Sequence, residues 1–169
     1  DEWVRKNSKN KFDKDGLLAS VGKTNDLILN QALENFNIDP PFDESLDIND
    51  FDISFVKGLN LEDGASTLTD FTASLIAKAL NYSQSESIGD TIWLVCGGGR
   101  KNKYLLKAKE SFENVVLHPS EKYNIDGDFV ESQAFAYLAI RSYLKLPISF
   151  PETTGCIKPC LGGEIIKNF

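Results

Sequence analysis

Apolar side chains recur at helical spacing in the first half of the chain and form short continuous runs in the second half. From Leu17 to Phe36 the spacing predicts one helix, which Gly22 weakens in its middle. Asp39-Pro40-Pro41 ends this helix, because proline restricts the residue before it and cannot continue a helix. A further helix is predicted from Leu68 to Leu80, with Thr67-Leu68-Thr69-Asp70 as its capping box.

Polar segments separate the predicted elements. Asp13-Lys14-Asp15-Gly16 predicts a turn, and Asn81 to Asp90 predicts a polar connection. Residues 42–64 are acidic and predict a long loop. The apolar side chains that we expect to anchor this loop are Phe51, Ile53, Phe55 and Val56.

The second half of the chain has the pattern of a β-α-β unit. Thr91 to Cys96 is rich in β-forming residues and predicts a strand buried on both faces, as in a parallel sheet. Three glycines follow at once, and Asn102 can cap the next helix. Val115-Val116-Leu117 predicts a second short strand. Asp128 to Tyr143 predicts a helix that is apolar almost all round, which is typical of a central, buried helix. The predicted fold class is therefore α/β.

The composition limits the classes of protein to which the chain can belong. Of its 169 residues, 41% are hydrophobic and 25% are charged, which is typical of a soluble domain with its own core. The net charge of −7 argues against a general nucleic-acid binder, which needs a basic surface. The apolar runs are short, and no basic segment with a following apolar stretch opens the chain. We therefore expect neither a membrane span nor a signal peptide.

Cysteine usage bears on the cellular compartment and on metal binding. The count of three is odd and Cys96 lies in an apolar run, which favours a reduced, cytoplasmic protein. Cys156 and Cys160 could be imagined as zinc ligands. They lack a second pair, and the one histidine, His118, is distant in sequence, which disfavours zinc. The sequence therefore predicts no metal-binding residue.

The strongest local signal for chemistry is the strand, the three glycines and the helix. Gly97, Gly98 and Gly99 carry no side chain, so backbone N–H groups and a helix N-terminus can approach a phosphate there. The spacing matches neither a Walker loop nor a dinucleotide-binding fingerprint. From these residues alone, a tight turn packed under a neighbouring segment is the alternative.

Two carboxylates near the predicted buried helix have a structural and a chemical interpretation. Asp128-x-x-Glu131 is the pattern of a reciprocal helix cap, which the residues alone favour. The alternative is a carboxylate at the floor of a cleft that binds sugar hydroxyls. Asp1 and His118 indicate no site by themselves, because a terminal residue is usually frayed and a histidine before proline usually lies on the surface.

Several motifs, in order over nearly the whole chain, resemble the 1,6-anhydro-N-acetylmuramic acid kinase family. Leu94 to Leu106 is similar to its V-C-G-G-G-x-x-N-x-x-L-M signature. Asp126 to Ala139 resembles a second signature that ends E-A-x-A-F-A-W-L-A. Further matches are Asp1-Glu2-Trp3 with the end of G-P-G-N-x-L-I-D-x-W, Phe12 to Gly16, Pro40-Pro41, Ala65 to Ala73 with A-T-L-T-x-x-T-A, Thr153-Thr154-Gly155 with T-G-A, and Leu161-Gly162 with L-G.

The resemblance implies a fold and a reaction. Residues 1–169 would form a single domain, the C-terminal lobe of a sugar kinase with the actin-like/hexokinase ATPase fold (ribonuclease H-like), a mixed sheet flanked by helices. The family uses ATP and water to convert 1,6-anhydro-N-acetylmuramic acid to N-acetylmuramic acid 6-phosphate in cell-wall recycling. ATP and the amino sugar are the implied small-molecule partners. Mg²⁺ would bridge the phosphates, as phosphoryl transfer generally requires.

The resemblance also implies roles for individual residues. Asp1 falls on the family's catalytic base, which deprotonates the water that attacks the anomeric carbon. Glu131 falls on a sugar-binding carboxylate. Gly97, Gly98 and Gly99 fall on the nucleotide-binding loop, with Asn102 beside it.

The chain departs from the family's pattern in two places. After the two prolines the family carries a Lys-Ser stretch that leads to an arginine, whereas residues 42–48 are acidic. The family's N-terminal lobe, with its glycine-rich phosphate loop and acidic metal partner, is absent from these 169 residues. We therefore expect that lobe to be a partner and this chain alone to be inactive. A non-catalytic remnant or split-gene nucleotide-binding module of the same fold is the alternative, and a homodimer also stays open.

Overall fold

The computed structural model describes residues 1–36, 50–85, 91–110 and 116–166, apart from the side chains of 84–85 and 107–110. The predicted stop at Pro40-Pro41, the acidic stretch 42–48, the end of the connection at 86–90 and Val115 lie outside the described residues. The helices are α1 (Glu2–Asn7), α2 (Leu17–Val21), α3 (Asp26–Asn35), α4 (Leu61–Ser85), α5 (Lys103–Glu110), α6 (Val130–Tyr143) and α7 (Pro151–Thr154). The strands are β1 (Ile92–Val95) and β2 (Val116–Pro119), and short 3₁₀ turns lie at Lys14–Gly16, Ser54–Val56, Gly98–Lys101 and Ser120–Tyr123.

The long helix α4 is the centre around which the other helices of the first half pack. It contacts α1, α2, α3 and α5. Trp3, Ala19, Val56 and Ala65 are buried together in the core, and the Trp3 ring nitrogen donates a hydrogen bond of 3.0 Å to the Leu61 carbonyl. Ile53 and Phe55 pack against the same core, as the sequence predicted for the end of the acidic loop. This packing orders α1 and with it the start of the chain.

The predicted helix from Leu17 to Phe36 is wrong in its middle, where it breaks into α2 and α3. Gly22 is extended and ends α2, and a Cβ on it would lie 2.0 Å from the Glu62 carbonyl oxygen. The linker instead bonds to α4, since the Lys23 N–H donates to Asp63 Oδ1 at 2.6 Å. The Asn25 side chain then accepts the Ile28 N–H and begins α3. These contacts with α4 outweigh the helical spacing of the apolar residues.

The predicted capping box at Thr67 is also wrong, because α4 begins two turns earlier. Asn60 and Asp63 form the reciprocal cap instead. The Asp63 N–H donates to Asn60 Oδ1, and Asn60 Nδ2 donates to Asp63 Oδ2, both at 2.7 Å. Thr67 is fully buried inside the helix, where its hydroxyl donates to the Asp63 carbonyl and accepts the Asn25 N–H. The far end of α4 extends to Ser85, into the predicted polar connection.

The β-α-β prediction is confirmed, since β1 precedes α5 in the chain, β2 follows it, and the two strands pair in a parallel sheet. Ile92 pairs with Val116 and Val95 with Pro119. The predicted burial of the first strand on both faces is wrong: Ile92 and Leu94 are exposed and alternate with half-buried residues. The described elements therefore leave the face of the sheet that bears Ile92 and Leu94 exposed.

Helix α6 begins two residues later than predicted, at Val130, ends at Tyr143 as predicted and lacks the predicted burial. Four of its large apolar residues, Phe135, Tyr137, Ile140 and Tyr143, are 58–69% exposed. Apolar composition shows that a helix tends to be buried, but it does not supply the surface that buries it. The helix is joined to the tail of the chain, because Arg141 Nε donates to the Pro147 carbonyl at 2.6 Å. The α/β class is thus confirmed, and the mixed sheet of a ribonuclease H-like lobe stays a prediction.

Candidate functional site

A cavity of about 270 Å³ lies where α1, α4 and the start of α5 meet. Apolar side chains form part of its wall: Trp3, Val4, Ala65, Leu68 and Leu105. Polar groups form the remainder: Asp1, Asp13, Thr69, Thr72, Asn102 and the backbone at Gly99. The cavity therefore brings together the predicted catalytic base and part of the predicted nucleotide loop, which are about a hundred residues apart in sequence.

Asp1 is held at this cavity by helix α1, for which it is the N-cap residue. Its carbonyl accepts the Arg5 N–H at 3.0 Å. Trp3 and Val4 are buried, so the first turn of α1 is fixed against α4. A terminal residue is expected to be frayed, but the first turn of α1 orders this one. The Asp1 side chain is exposed and lies where a bound molecule could contact it.

A second carboxylate, Asp13, lies in the same cavity and was given no role from the sequence. Its two oxygens accept the N–H groups of Leu18 at 2.8 Å and Ala19 at 3.0 Å, so it orients the start of α2. The turn that follows is left-handed at Asp15 (φ 56°) and Gly16 (φ 74°), where the sequence predicted a turn. The match of this segment to the family's pattern was the signal that could have identified Asp13.

Two carboxylates in a small cavity determine which ligand groups can bind there. Asp1 and Asp13 are acceptors when ionised, so they bind hydroxyl or water donors and repel phosphate. Thr69 and Thr72 add hydroxyls from α4, each of which donates to a carbonyl of its own helix at 2.8–2.9 Å and keeps lone pairs for a ligand. Neither threonine was named as a site residue from the sequence. This part of the cavity is suited to a hydroxyl-rich molecule.

The glycine loop borders the cavity through Gly99. Gly97 has φ 74° and ψ −178°, a conformation for glycine alone, and its N–H donates to the Gly127 carbonyl at 2.8 Å. A Cβ on Gly97 or Gly98 would meet nothing within 4 Å, so a ligand has free access to this backbone. Gly99 lines the cavity, whereas Gly97 and Gly98 lie outside it on the exposed surface.

Asn102 caps α5, as predicted from the sequence. Its Oδ1 accepts the Leu105 N–H at 2.9 Å. A Cβ on Gly16 would lie 2.1 Å from the same oxygen, so the turn after Asp13 packs closely against Asn102. This contact links the carboxylate side of the cavity to the glycine loop. The role of Asn102 in holding a nucleotide stays a prediction.

The interpretation of Asp128 as a helix cap is wrong. The N-cap of α6 is Phe129, and no side chain caps that helix. Asp128 pairs with two cations that follow the glycines: Arg100 Nη1 at 2.7 Å and Lys101 Nζ at 2.7 Å. Hydrogen bonds from Arg100 first and Lys101 second hold the pKa of Asp128 far below its usual range. Asp128 therefore pairs with the cations that follow the glycines and does not cap α6.

Glu131 lies in the first turn of α6, where it is exposed. It is not among the residues that line the cavity. The expected position at the start of a buried helix is therefore wrong, because α6 is exposed. Its role as a sugar-binding carboxylate is untested by this geometry and stays a prediction.

The cysteines are free thiols. Cys96 is exposed, and Cys156 and Cys160 are half-buried. Hydrogen bonds from Thr154, the larger cause, and from Ser149 lower the pKa of Cys156. Desolvation raises the pKa of Cys160. Across the described ranges of the chain, no group of three or more His, Cys, Asp or Glu side chains is arranged to hold a metal ion. Nor does any helix in those ranges combine the length and apolar character needed to cross a membrane.

Comparisons with known proteins agree with these motifs. The family model for anhydro-N-acetylmuramic acid kinase matches residues 1–168. Proteins named anhydro-N-acetylmuramic acid kinase from Pelagibacter ubique, Zymomonas mobilis and Caulobacter vibrioides are 51%, 37% and 40% identical over 100%, 98% and 92% of this chain. The chain spans 46%, 44% and 41% of their lengths, which is less than half of each relative. The chain belongs to the anhydro-N-acetylmuramic acid kinase family.

Proposed function

We propose that this chain supplies the catalytic base and the nucleotide loop of an ATP-dependent kinase that acts on 1,6-anhydro-N-acetylmuramic acid. The observation that carries the proposal is the cavity in which Asp1 faces Gly99 and Asn102. A kinase that also adds water must hold a base and a phosphate donor beside one sugar. The chain would form the C-terminal lobe of an actin-like ATPase fold in the cytoplasm, with an N-terminal lobe as its partner.

The reaction divides the work among the groups at the cavity. Asp1 takes a proton from water, whose oxygen attacks the anomeric carbon and forms a new C1–O bond. The bond from that carbon to the bridging O6 breaks, and O6 takes the γ-phosphoryl group of ATP, which leaves ADP. Asp1 then releases its proton to solvent, so the products are N-acetylmuramic acid 6-phosphate, ADP and one proton. Asp13 orients sugar or water hydroxyls, and the exposed backbone of Gly98 and Gly99 contacts phosphate.

The residues of the cavity fit a role for Mg²⁺ that depends mainly on the nucleotide. Mg²⁺ is commonly bound by one or two carboxylates together with substrate phosphates and water. Asp13 provides one carboxylate at the cavity for such an ion, and Asp1 is kept for the proton transfer. When bound, the ion would neutralise charge on the phosphates. Glu131, which lies outside the cavity, would bind the sugar when the complete cleft is formed.

A nucleotide-binding module without turnover is the second candidate function. The observation that favours it is that the glycine loop is accessible, whereas Glu131 is exposed on α6 and does not line the cavity. Such a module would bind ATP and would not phosphorylate the sugar under any conditions. Turnover after the missing half of the family's sequence is added distinguishes the two candidates.

The first experiment is an ATP titration of the chain and of Gly98→Val by calorimetry. A Cβ at Gly98 meets no protein atom within 4 Å and the backbone there is not left-handed, so the variant should fold like the parent. A branched side chain placed where phosphate approaches should weaken binding by about tenfold or more. Equal urea midpoints for the two proteins are the control, and equal ATP affinity refutes the nucleotide loop.

The second experiment tests the base. The chain is combined with the N-terminal half of the family's sequence, ATP, Mg²⁺ and the anhydro sugar, and the 6-phosphate is detected by mass. Asp1→Asn should keep ATP affinity and lower kcat by about 10²-fold or more. The chain without the other half should give no product, because phosphoryl transfer needs groups on both sides of the phosphate. Near-normal kcat in Asp1→Asn removes this residue from the mechanism.

A further inference from the structure

The first side chain after the glycine loop is a nearly buried cation. The side chain of Arg100 is 9% exposed, whereas its partners Glu121 and Asp128 are 47% and 46% exposed. Arg100 Nε donates to Glu121 Oε1 at 2.6 Å, and Nη1 donates to Asp128 Oδ1 at 2.7 Å. The guanidinium therefore lies between the glycine loop and the segment that leads to α6.

The same guanidinium holds the backbone of the first glycine. Arg100 Nη1 donates to the Gly97 carbonyl at 2.9 Å, and the Gly97 N–H donates to the Gly127 carbonyl at 2.8 Å. Both polar groups of Gly97 are therefore bonded, one to Arg100 and one to the residue beside Asp128. Gly127 is buried, and a Cβ on it would lie 2.6 Å from Arg100 Nε and 2.8 Å from Ser120 Oγ, so a larger residue there would displace these side chains.

Arg100 is already committed to protein acceptors. Two carboxylates offset its charge, and Nη1 is shared between a carboxylate and a carbonyl. The hydrogen bonds that Arg100 donates to Asp128 and then to Glu121 raise the pKa of Arg100, and the pKa of Asp128 is depressed, so the pair stays ionised across the physiological range. An arginine held in this way orients its loop and has little charge left to attract a phosphate.

We propose that Arg100 is the positioning residue of the nucleotide loop and that it joins this loop to the start of α6. This inference rests on the proposed function, because it makes Arg100 responsible for the loop conformation with which Gly98 and Gly99 would contact phosphate. Through Gly97, Gly127 and Asp128, the loop and the turn before α6 form one hydrogen-bonded unit. A shift of the loop on nucleotide binding therefore moves the first turn of α6, where Glu131 lies.

Hydrogen exchange at the Gly97 amide tests, without any ligand, whether Arg100 holds the glycine loop. In Arg100→Lys the charge is kept, but a single ammonium nitrogen cannot replace both Nε, which bonds Glu121, and Nη1, which bonds Asp128 and the Gly97 carbonyl. The Gly97 amide should exchange about tenfold faster than in the parent. Arg141→Lys is the matched control, because Arg141 also donates to a backbone carbonyl, that of Pro147, but contacts no residue of the loop. Unchanged exchange at Gly97 in Arg100→Lys overturns the proposal.

ATP affinity separates positioning from direct phosphate contact. If Arg100 positions the loop, Arg100→Lys and Asp128→Asn each weaken ATP binding by about tenfold, and the double variant is no worse than either. If Arg100 contacts phosphate, Glu121→Gln, which removes a carboxylate from Arg100 and leaves the Lys101–Asp128 pair in place, tightens binding, which overturns the proposal. An ATP affinity in both Arg100→Lys and Asp128→Asn equal to that of the parent overturns it as well.

The same pair of measurements separates failure of this inference from failure of the proposed function. A parent chain that binds no ATP contradicts the nucleotide loop itself, and with it the role of Arg100 toward nucleotide. Faster exchange at Gly97 in Arg100→Lys would then support only the structural link between the loop and α6. ATP binding by the parent together with unchanged exchange in Arg100→Lys leaves the proposed function standing and removes Arg100 from it.

Discussion

The close contact between the α2–α3 linker and α4 makes Gly22→Ala a sharp test of the fold. A Cβ at this position would lie 2.0 Å from the Glu62 carbonyl oxygen, 2.3 Å from its carbon and 2.9 Å from the Asp63 nitrogen. These are backbone atoms in the first turn of α4, so no side-chain rotation relieves the clash. The linker and the helix must separate.

The size of the separation follows from the contact distances. Ordinary van der Waals contact begins at 3.4 Å, so the two segments must move apart by about 1.4 Å. The hydrogen bond from the Lys23 N–H to Asp63, now 2.6 Å long, would then exceed the usual range. Overpacking costs about 1–3 kcal/mol, and a lost hydrogen bond to an exposed carboxylate adds about 1 kcal/mol. We expect Gly22→Ala to lower the free energy of unfolding by about 2–4 kcal/mol.

Urea unfolding followed by circular dichroism measures this change, with the slope m compared between variants. Gly98→Ala is the matched control, because the same methyl group there meets nothing within 4 Å. It should stay within about 0.5 kcal/mol of the parent or stabilise slightly by restricting the unfolded chain. A free energy of unfolding for Gly22→Ala within about 0.5 kcal/mol of the parent would refute the packing of the linker against α4.

Three further outcomes are expected from the geometry of the site. Asn102→Ala should lower the free energy of unfolding by about 1 kcal/mol in urea titrations, whereas Asn102→Asp, which keeps the capping acceptor, should not. Iodoacetamide at mildly alkaline pH should alkylate Cys156 before Cys160, because the lower pKa of Cys156 leaves more of it as thiolate. Peptide mass mapping measures the order, and the reverse order would contradict the two pKa shifts. The carboxyl of Asp128 should titrate by NMR well below its ordinary pKa of 3.8. Its stabilising pairing is therefore complete above that pH and is lost only as the pH falls further, and a midpoint at or above 3.8 would exclude the pairing.

The features that could be predicted from the sequence are those set by neighbouring residues. The first strand, the glycines after it and the cap at Asn102 lie within a dozen positions, and each follows from local propensity or from backbone geometry. The cap of α4 was placed wrongly because two segments have capping patterns, one at Asn60 and one at Thr67. Packing decides between them: Thr67 is needed inside the helix to hold the linker at Asn25.

The features that could not be predicted depend on segments far apart in the chain. The cavity forms because Trp3 packs onto α4 and α5 packs beside it, which places Asp1 near Asn102. Asp13 has the same appearance in sequence as any acidic turn residue, and only the fold brings it to the cavity. The exposure of α6 likewise depends on which surfaces surround it, and its apolar pattern carries no record of them.

The unusual backbone of Gly97 also predicts how the loop changes during evolution. Its φ of 74° and ψ of −178° exclude other residues whatever the loop binds, so fold alone retains this glycine. Gly98 has an accessible backbone conformation and free space around it, so only a ligand gives a reason to keep it. If the loop binds nucleotide as proposed, Gly98 should drift to alanine or serine in a descendant that keeps the fold and loses that binding, while Gly97 persists. A comparison of the residue at position 98 across many genomes would therefore indicate which branches of the family still bind a phosphate.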